Sequence, residues 1–441
     1  MPASQDYCIL PSSPTCRCLD RFSILDDGHE DEDGLVPFWD ILVATLHQPV
    51  TSTIQLIDVL ETISNTLRGN SGETGDYGTL RAFISQPANA DFYDSVWPTI
   101  ASSALQMPSL FPDSTIPVLK PGLTVAFSPH QISCLVAHQF LCTLTEPPWR
   151  DGFYDFSIWY SSSQPHTLAA EMYLTSITTF FRSAPTSSVT YTLHSYNLIA
   201  PSHMTPRSST PLPPLSLTRL PHYSTSYQQF PPLTPSSAVV VSANIHIGFG
   251  RSATQEEIFA GNCPAACPAV LLTPPLAAEE VLVIRDAAPM LRIVGQRRDI
   301  SYTVLEPEER RGGTMLFMDA LELDEVDDGA GLPDLLPGNV EREIRKAVAG
   351  FSAVRGGKVY TGVWGCGAFN GDPGVKVVCM WIAAAVTGVE LGVLFDAGLK
   401  GVAGEVERFR DTFGEGATVE DLERWLKGLP RGVRRGETLR S

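Results

Sequence analysis

The sequence predicts an α/β protein in which a layered sheet flanked by helices follows an all-helical N-terminal lobe. Three observations carry this reading. Between residues 36 and 185, apolar residues recur at three- and four-residue spacing, the period of amphipathic helices. After residue 238, short β-branched runs alternate with helical patterns, as in a layered sheet covered by helices. Two glycine-bearing loops fall where those strands are expected to end.

Composition sets the outer limits. The chain has 441 residues, 43% hydrophobic and 18% charged, so it can bury a sizeable core. It contains no apolar run of the roughly 18 residues needed to span a bilayer. The start, MPASQDYCILPSSPTCRC, lacks a basic segment followed by an apolar one, so secretion is not expected. Nine scattered cysteines, an odd number, suit a reducing compartment, and nucleus or cytoplasm is the expected location. The formal net charge of −18 argues against electrostatic capture of nucleic acid. A polyanionic ligand would have to be held by backbone N–H groups and helix N-termini. Cys16–Cys18 and Cys263–Cys267 have metal-like spacing but no second pair to complete a tetrahedral site, so no metal is expected.

The elements follow in order. Residues 1–35, with the acidic run DDGHEDED at 26–33, read as a flexible segment. Residues 36–199 form the helical lobe, with helices expected at Pro37–His47, Thr53–Leu67 and Phe92–Leu110. Ser128 followed by Pro129 and Gln131 is a capping box opening another helix through Leu141, in which His138 reads as a packed histidine. Residues 200–237, rich in Ser, Thr and Pro, read as a linker or insertion with little regular structure. Residues 238–441 form the α/β domain. Strands are expected at Ala238–Ser242, Val281–Ile284, Thr314–Ala320 and Val389–Phe395, and helices at Val340–Phe351, Val375–Thr387 and Val419–Leu426. The basic tail after Pro430 is expected to fray.

Two segments carry chemistry. Val239–Ile258, VVVSANIHIGFGRSATQEEI, reads as a strand, a glycine-bearing loop and then two glutamates, Glu256 and Glu257. Glycines let a backbone approach a phosphate, and carboxylates beside such a loop can do acid–base work on what the phosphates carry. A hairpin loop before an acidic helix start explains this window equally well. Thr361–Asp372, TGVWGCGAFNGD, places four glycines in twelve residues before a buried helix. Alone it reads as a tight turn, but two such clusters at strand ends of one layer point to a shared phosphate site.

QEEI at Gln255–Ile258, TGVWGCGAFNGD at Thr361–Asp372 and MDAL at Met318–Leu321 resemble the poly(ADP-ribose) glycohydrolase family. The segments LQMPSLFP (Leu105–Pro112), IPVLKPG (Ile116–Gly122) and HQISCLVAHQFLCT (His130–Thr143) resemble that family's helical accessory region. The resemblance implies a macrodomain-like mixed sheet flanked by helices. It also implies hydrolysis of ribose–ribose O-glycosidic bonds in poly(ADP-ribose), releasing ADP-ribose, without a cofactor. Glu257 would protonate the leaving oxygen and then activate water, as glycoside cleavage requires. Glu256, expected on an extended segment and so pointing the other way, would position the sugar.

Asn244, Gln255, Val363 and Trp364 would help hold the ligand, and Gly248-Phe249-Gly250 with Gly365, Cys366, Gly367, Ala368 and Phe369 would cradle the diphosphate. Phe395 would stack on adenine or serve as a core residue, and Tyr302 remains from a tyrosine-rich covering segment. The implied partners are poly(ADP-ribose) and ADP-ribosylated proteins, with a monomer acting away from nucleic acid and membranes. The chain departs from the family's pattern in several places. Val241 stands where VDFAN has aspartate, Phe249 replaces a central glycine, Val363 replaces an asparagine, and Leu305 stands where a tyrosine is expected to cover the ligand. Phe249 is expected to restrict the approach of a phosphate. The alternative reading is a catalytically impaired macrodomain that binds ADP-ribose or its polymer.

Overall fold

The computed structural model describes residues 6–25, 30–68, 75–149, 153–183, 185–199, 208–220, 236–295, 297–324, 331–414, 416–430 and 432–440. Its organising element is an eight-stranded mixed sheet. In chain order the strands are β1 (Thr124–Phe127), β2 (Val189–Ser195), β3 (Leu215–Arg219), β4 (Ser237–Ala243), β5 (Glu280–Ala287), β6 (Gly313–Asp319), β7 (Lys358–Thr361) and β8 (Glu390–Phe395). In space they run β1-β2-β5-β6-β4-β7-β8-β3. Strand β6 divides the sheet, pairing antiparallel with β5 and parallel with β4. From β6 through β4, β7 and β8 to β3 every pairing is parallel. From β1 through β2 and β5 to β6 every pairing is antiparallel.

The strand side chains alternate between two cores, as the two-residue period of a strand requires. Val239, Val241, Leu282, Ile284, Met315 and Phe317 face the N-terminal lobe. Val240, Val281, Val283, Leu316, Met318 and Val393 face a layer built mainly from helices Asn339–Phe351, Pro373–Thr387 and Lys400–Asp411. The Pro373–Thr387 helix is buried at every residue, which accounts for its near-continuous apolar sequence. Val241, at the family's aspartate position, is a fully buried packing residue of the lobe-side core. His138 is also fully buried. Its ring nitrogens lie 2.6 Å from Thr143 Oγ1 and 3.1 Å from Ala104 O, and loss of solvation pushes its pKa down to about 4.

Several expectations are corrected. The lobe is not helical throughout, because β1 and β2 arise within it and extend the sheet. The Ser/Thr/Pro-rich stretch supplies β3, the edge strand beside β8, a place where flanking prolines are tolerated. In the segment read as flexible, Tyr7–Ile9 pairs with Thr115–Pro117, and Arg17–Cys18 pairs with Val36–Pro37. The basic tail does not fray. Thr438 is buried and donates to Asp372 Oδ1 at 2.6 Å, and the Gly436 N–H donates to Asp372 Oδ2 at 2.8 Å. The capping box at Ser128 forms as read, with Gln131 Oε1 accepting from the Ser128 N–H at 2.9 Å. Among the described residues no helix is long and apolar enough to cross a membrane.

Candidate active site

Parallel strands all end on the same side, and a crevice forms where the chain leaves their carboxyl ends. That crevice is a cavity of 720 Å³. Leu220 after β3, Ser242 to Asn244 at the end of β4, Gly362 and Val363 after β7, and Leu394 and Asp396 at the end of β8 all line it. The two glycine loops form facing parts of the wall, since Gly248, Phe249, Gly365, Cys366, Gly367, Ala368 and Phe369 are lining residues too.

The glutamate pair opens the Gln255–Asn262 helix rather than lying on an extended segment. Adjacent residues therefore diverge by the helical turn of about 100°, and the two carboxylates have different work. Glu256 is buried, and its oxygens accept from the Asn244 N–H at 2.9 Å and the Gly248 N–H at 2.8 Å. It staples the end of β4 to the glycine loop. Gln255 adds a third tie, accepting from the Ser242 N–H at 3.2 Å. Glu257 is half-buried, and among the described residues its Oε2 accepts only the cap bond from the Thr254 N–H at 3.0 Å. A Cβ on Gly250 would stand 2.0 Å from Glu257 Oε1, so the absence of a side chain there gives this carboxylate its place.

Both loops present backbone donors. Among the described residues, the N–H groups of Phe249 and Gly250, and those of Gly367, Ala368 and Phe369, have no intramolecular acceptor. Successive free amides of this kind make an anion-binding concavity. Gly365 sits at φ +75°, and a Cβ there would come 2.6 Å from Ala320 Cβ, so only glycine fits. The loop is closed by the Gly371 N–H donating to Gly365 O at 3.0 Å. Arg435 clasps it from outside, donating to Gly371 O at 3.0 Å and Cys366 O at 2.6 Å. Asn244 Oδ1 accepts from the His246 N–H at 3.0 Å, and Asn244 remains at the cavity wall.

The structure does not bring every predicted residue to the cavity. Phe395 is fully buried in the helix-side core, so the core alternative holds. Trp364 is fully buried as well, and its indole N–H donates to Met318 O at 3.0 Å. Tyr302 lies outside the lining, with its hydroxyl 3.3 Å from Thr175 Oγ1 on the lobe helix Thr167–Arg182. Leu305 is buried rather than covering a ligand. Phe249 does not restrict the cradle with its ring. The ring packs into the lobe, 5.4 Å from that of Phe156 and 5.2 Å from that of Trp159. The replaced glycine has become an aromatic anchor, and its backbone stays at the cavity wall.

Sequence reasoning missed the residues behind the loop. The Trp159 indole N–H donates to Gly250 O at 2.9 Å. Tyr173 stacks on Trp159 at 4.6 Å. The Tyr173 hydroxyl is buried without a hydrogen-bond partner among the described residues, and its pKa is raised well above the usual value, first by desolvation and then by the Glu257 charge. Arg297 and Asp396 also line the cavity without having been anticipated.

A family model described as the poly(ADP-ribose) glycohydrolase macro-domain fold matches residues 233–396. A second, described as the helical domain of the same enzyme, matches residues 84–193. The chain belongs to the poly(ADP-ribose) glycohydrolase family. Two relatives from Caenorhabditis elegans, poly(ADP-ribose) glycohydrolases 1 and 2, are 32% identical over 165 residues and 28% identical over 166 residues. Each alignment covers 33% of this chain, but only 21% of the first relative and 34% of the second. A crystal structure of poly(ADP-ribose) glycohydrolase from Deinococcus radiodurans in complex with ADP-ribose is 16% identical, with a TM-score of 0.29 over 45% of this chain and 86% of that one. The sheet is thus the family's macrodomain sheet, and residues 84–193 are its helical domain, which contributes two strands to the sheet edge.

Proposed function

We propose that this chain hydrolyses the ribose–ribose O-glycosidic bonds of poly(ADP-ribose), releasing ADP-ribose, with Glu257 as general acid and then general base. The observation that carries the reading is the setting of Glu257. It is a carboxylate at the cavity wall whose Oε1 abuts Gly250, in a cavity also lined by the free amides of the second glycine loop. A diphosphate on those amides fixes a ribose beside the carboxyl group. Protonated Glu257 gives its proton to the leaving ribose oxygen as the glycosidic bond breaks. The resulting carboxylate takes a proton from the water that adds to the oxocarbenium-like sugar, which restores the acid. Glu256 is tied to two backbone amides, so its part is to hold the loop and accept from a ribose hydroxyl.

The test is release of free ADP-ribose from an automodified polymerase. Wild type should release it, and Glu257→Gln should release none while binding ADP-ribose as before. Binding without release by the wild type would make the chain a macrodomain reader. Neither binding nor release would refute both readings.

A further inference from the structure

Arg297 sits between the two strands of the hairpin Leu291–Val294 and Ser301–Val304. It is the one lysine or arginine among the described lining residues of the cavity, where Glu256, Glu257 and Asp396 supply three carboxylates. The side chain is exposed and makes no ion pair with a described residue.

Its place is fixed from the backbone. The Arg297 N–H donates to Ala253 O at 3.3 Å, and Ala253 directly precedes Thr254, whose N–H caps Glu257. Both residues of this contact hold positive φ, +56° at Arg297 and +52° at Ala253. Left-handed backbone at a non-glycine residue is strained and persists only where the surroundings impose it. Gly295 sets the turn at φ +83°, where a Cβ would meet Asp299 O at 2.0 Å. The hairpin is thereby held against the loop that carries the acid, and Arg297 stands at the Glu257 end of the cavity.

We infer that Arg297 binds the diphosphate of the polymer unit on the leaving side of the scissile bond. This rests on the proposed glycohydrolase reading. The unit to be released has its diphosphate on the free amides of the two glycine loops, which need no cation. The next unit along the polymer brings a second diphosphate past Glu257, into a wall that also carries Glu256 and Asp396 on a chain of net charge −18. A guanidinium there removes that repulsion and offers the paired donors suited to phosphate oxygens. Free ADP-ribose ends at the scissile position and does not reach it. Arg297 is therefore a residue that favours polymer over the single unit.

The experiment compares wild type, Arg297→Ala and Arg297→Lys in two assays. One is calorimetric titration with ADP-ribose, and the other is steady-state hydrolysis of size-fractionated poly(ADP-ribose) at low and high salt. Arg297→Ala should raise KM for the polymer about tenfold at low salt, flatten the salt dependence of KM, and leave the Kd for ADP-ribose within about twofold. Arg297→Lys should fall between the two in KM. An unchanged polymer KM, or an ADP-ribose Kd weakened as much as KM, overturns the inference. Failure of the wild type to bind ADP-ribose or turn over polymer removes the glycohydrolase reading itself, and the inference with it.

Discussion

Gly250 and Glu257 share a space that has no room for a methyl group. In Gly250→Ala the new Cβ would lie 2.0 Å from Glu257 Oε1 and 2.7 Å from its Cδ, where ordinary contact begins at 3.4 Å. The carboxylate must retreat by about 1.4 Å, and a misplacement near 1 Å costs on the order of 10²-fold in rate. Gly250 does not sit at positive φ, so alanine brings no backbone strain. The retreat loosens the cap bond from the Thr254 N–H, worth about 1 kcal/mol, and the fold survives. The expected outcome is a fall in kcat of about 10²-fold, with ADP-ribose affinity retained because the Gly250 N–H is still present. The assay is ADP-ribose release at saturating polymer beside a titration with ADP-ribose. Turnover at the wild-type rate would refute the assignment of Glu257 to this position.

Other perturbations separate support from chemistry. Glu256→Gln sets an amide donor against one of two backbone N–H groups, and at about 1.5–3 kcal/mol for a hydrogen bond to a charged group it should lower the denaturant midpoint clearly more than Glu257→Gln does. Arg435→Ala removes an exposed clasp on Cys366 O and Gly371 O worth about 1 kcal/mol. It should weaken ADP-ribose binding about fivefold by calorimetry with little change in Tm, and unchanged affinity would mean that the loop holds itself.

Burial pushes the Asp334 carboxyl up to about 6 against the opposing pull of Lys376, beneath the second glycine loop. A raised carboxyl contributes stability below its unfolded pKa near 4, and that contribution is lost as pH rises through about 6. Asp334→Asn should therefore gain on wild type, by on the order of 2 kcal/mol, across the window from about pH 4 to about pH 6 and hold that gain above it. A difference that is flat across the window would show that Asp334 carries no such penalty.

The sequence revealed what local pattern encodes. The β-branched run at 238–242 and the apolar helix at 375–387 announced themselves because their neighbours in sequence are also their neighbours in burial. The capping box at Ser128 is equally local. By contrast, β3 is hidden in PLPPLSLTRLP, where proline and serine mask an edge strand whose pairing partner lies 176 residues away. The strand β2, VTYTLHS, alternates buried and half-buried residues cleanly, a two-residue period that the helical patterns before it mask.

At the site, Gln255-Glu256-Glu257 and the two glycine loops were readable because two glycine clusters recur at strand ends of one layer and their local sequences match a family pattern. Phe395 and Trp364 were not, since nothing in a single apolar residue says which side of a sheet it will face. The contacts of Trp159 with Gly250 and of Arg435 with Cys366 span 91 and 69 residues, and no periodicity encodes such pairs.

The aromatic group behind the glycine loop has a consequence for how this protein can change over generations. Phe156, Trp159 and Tyr173 belong to the lobe, yet they anchor the Phe249 ring and the Gly250 carbonyl that shape the other half's binding wall. A freestanding macrodomain can be moved between genes as a cassette. Here an insertion or exchange separating residues 156–173 from residues 248–257 would leave Phe249 bare to water and the Gly250 carbonyl without its donor. A change in either half is therefore felt at the same binding wall.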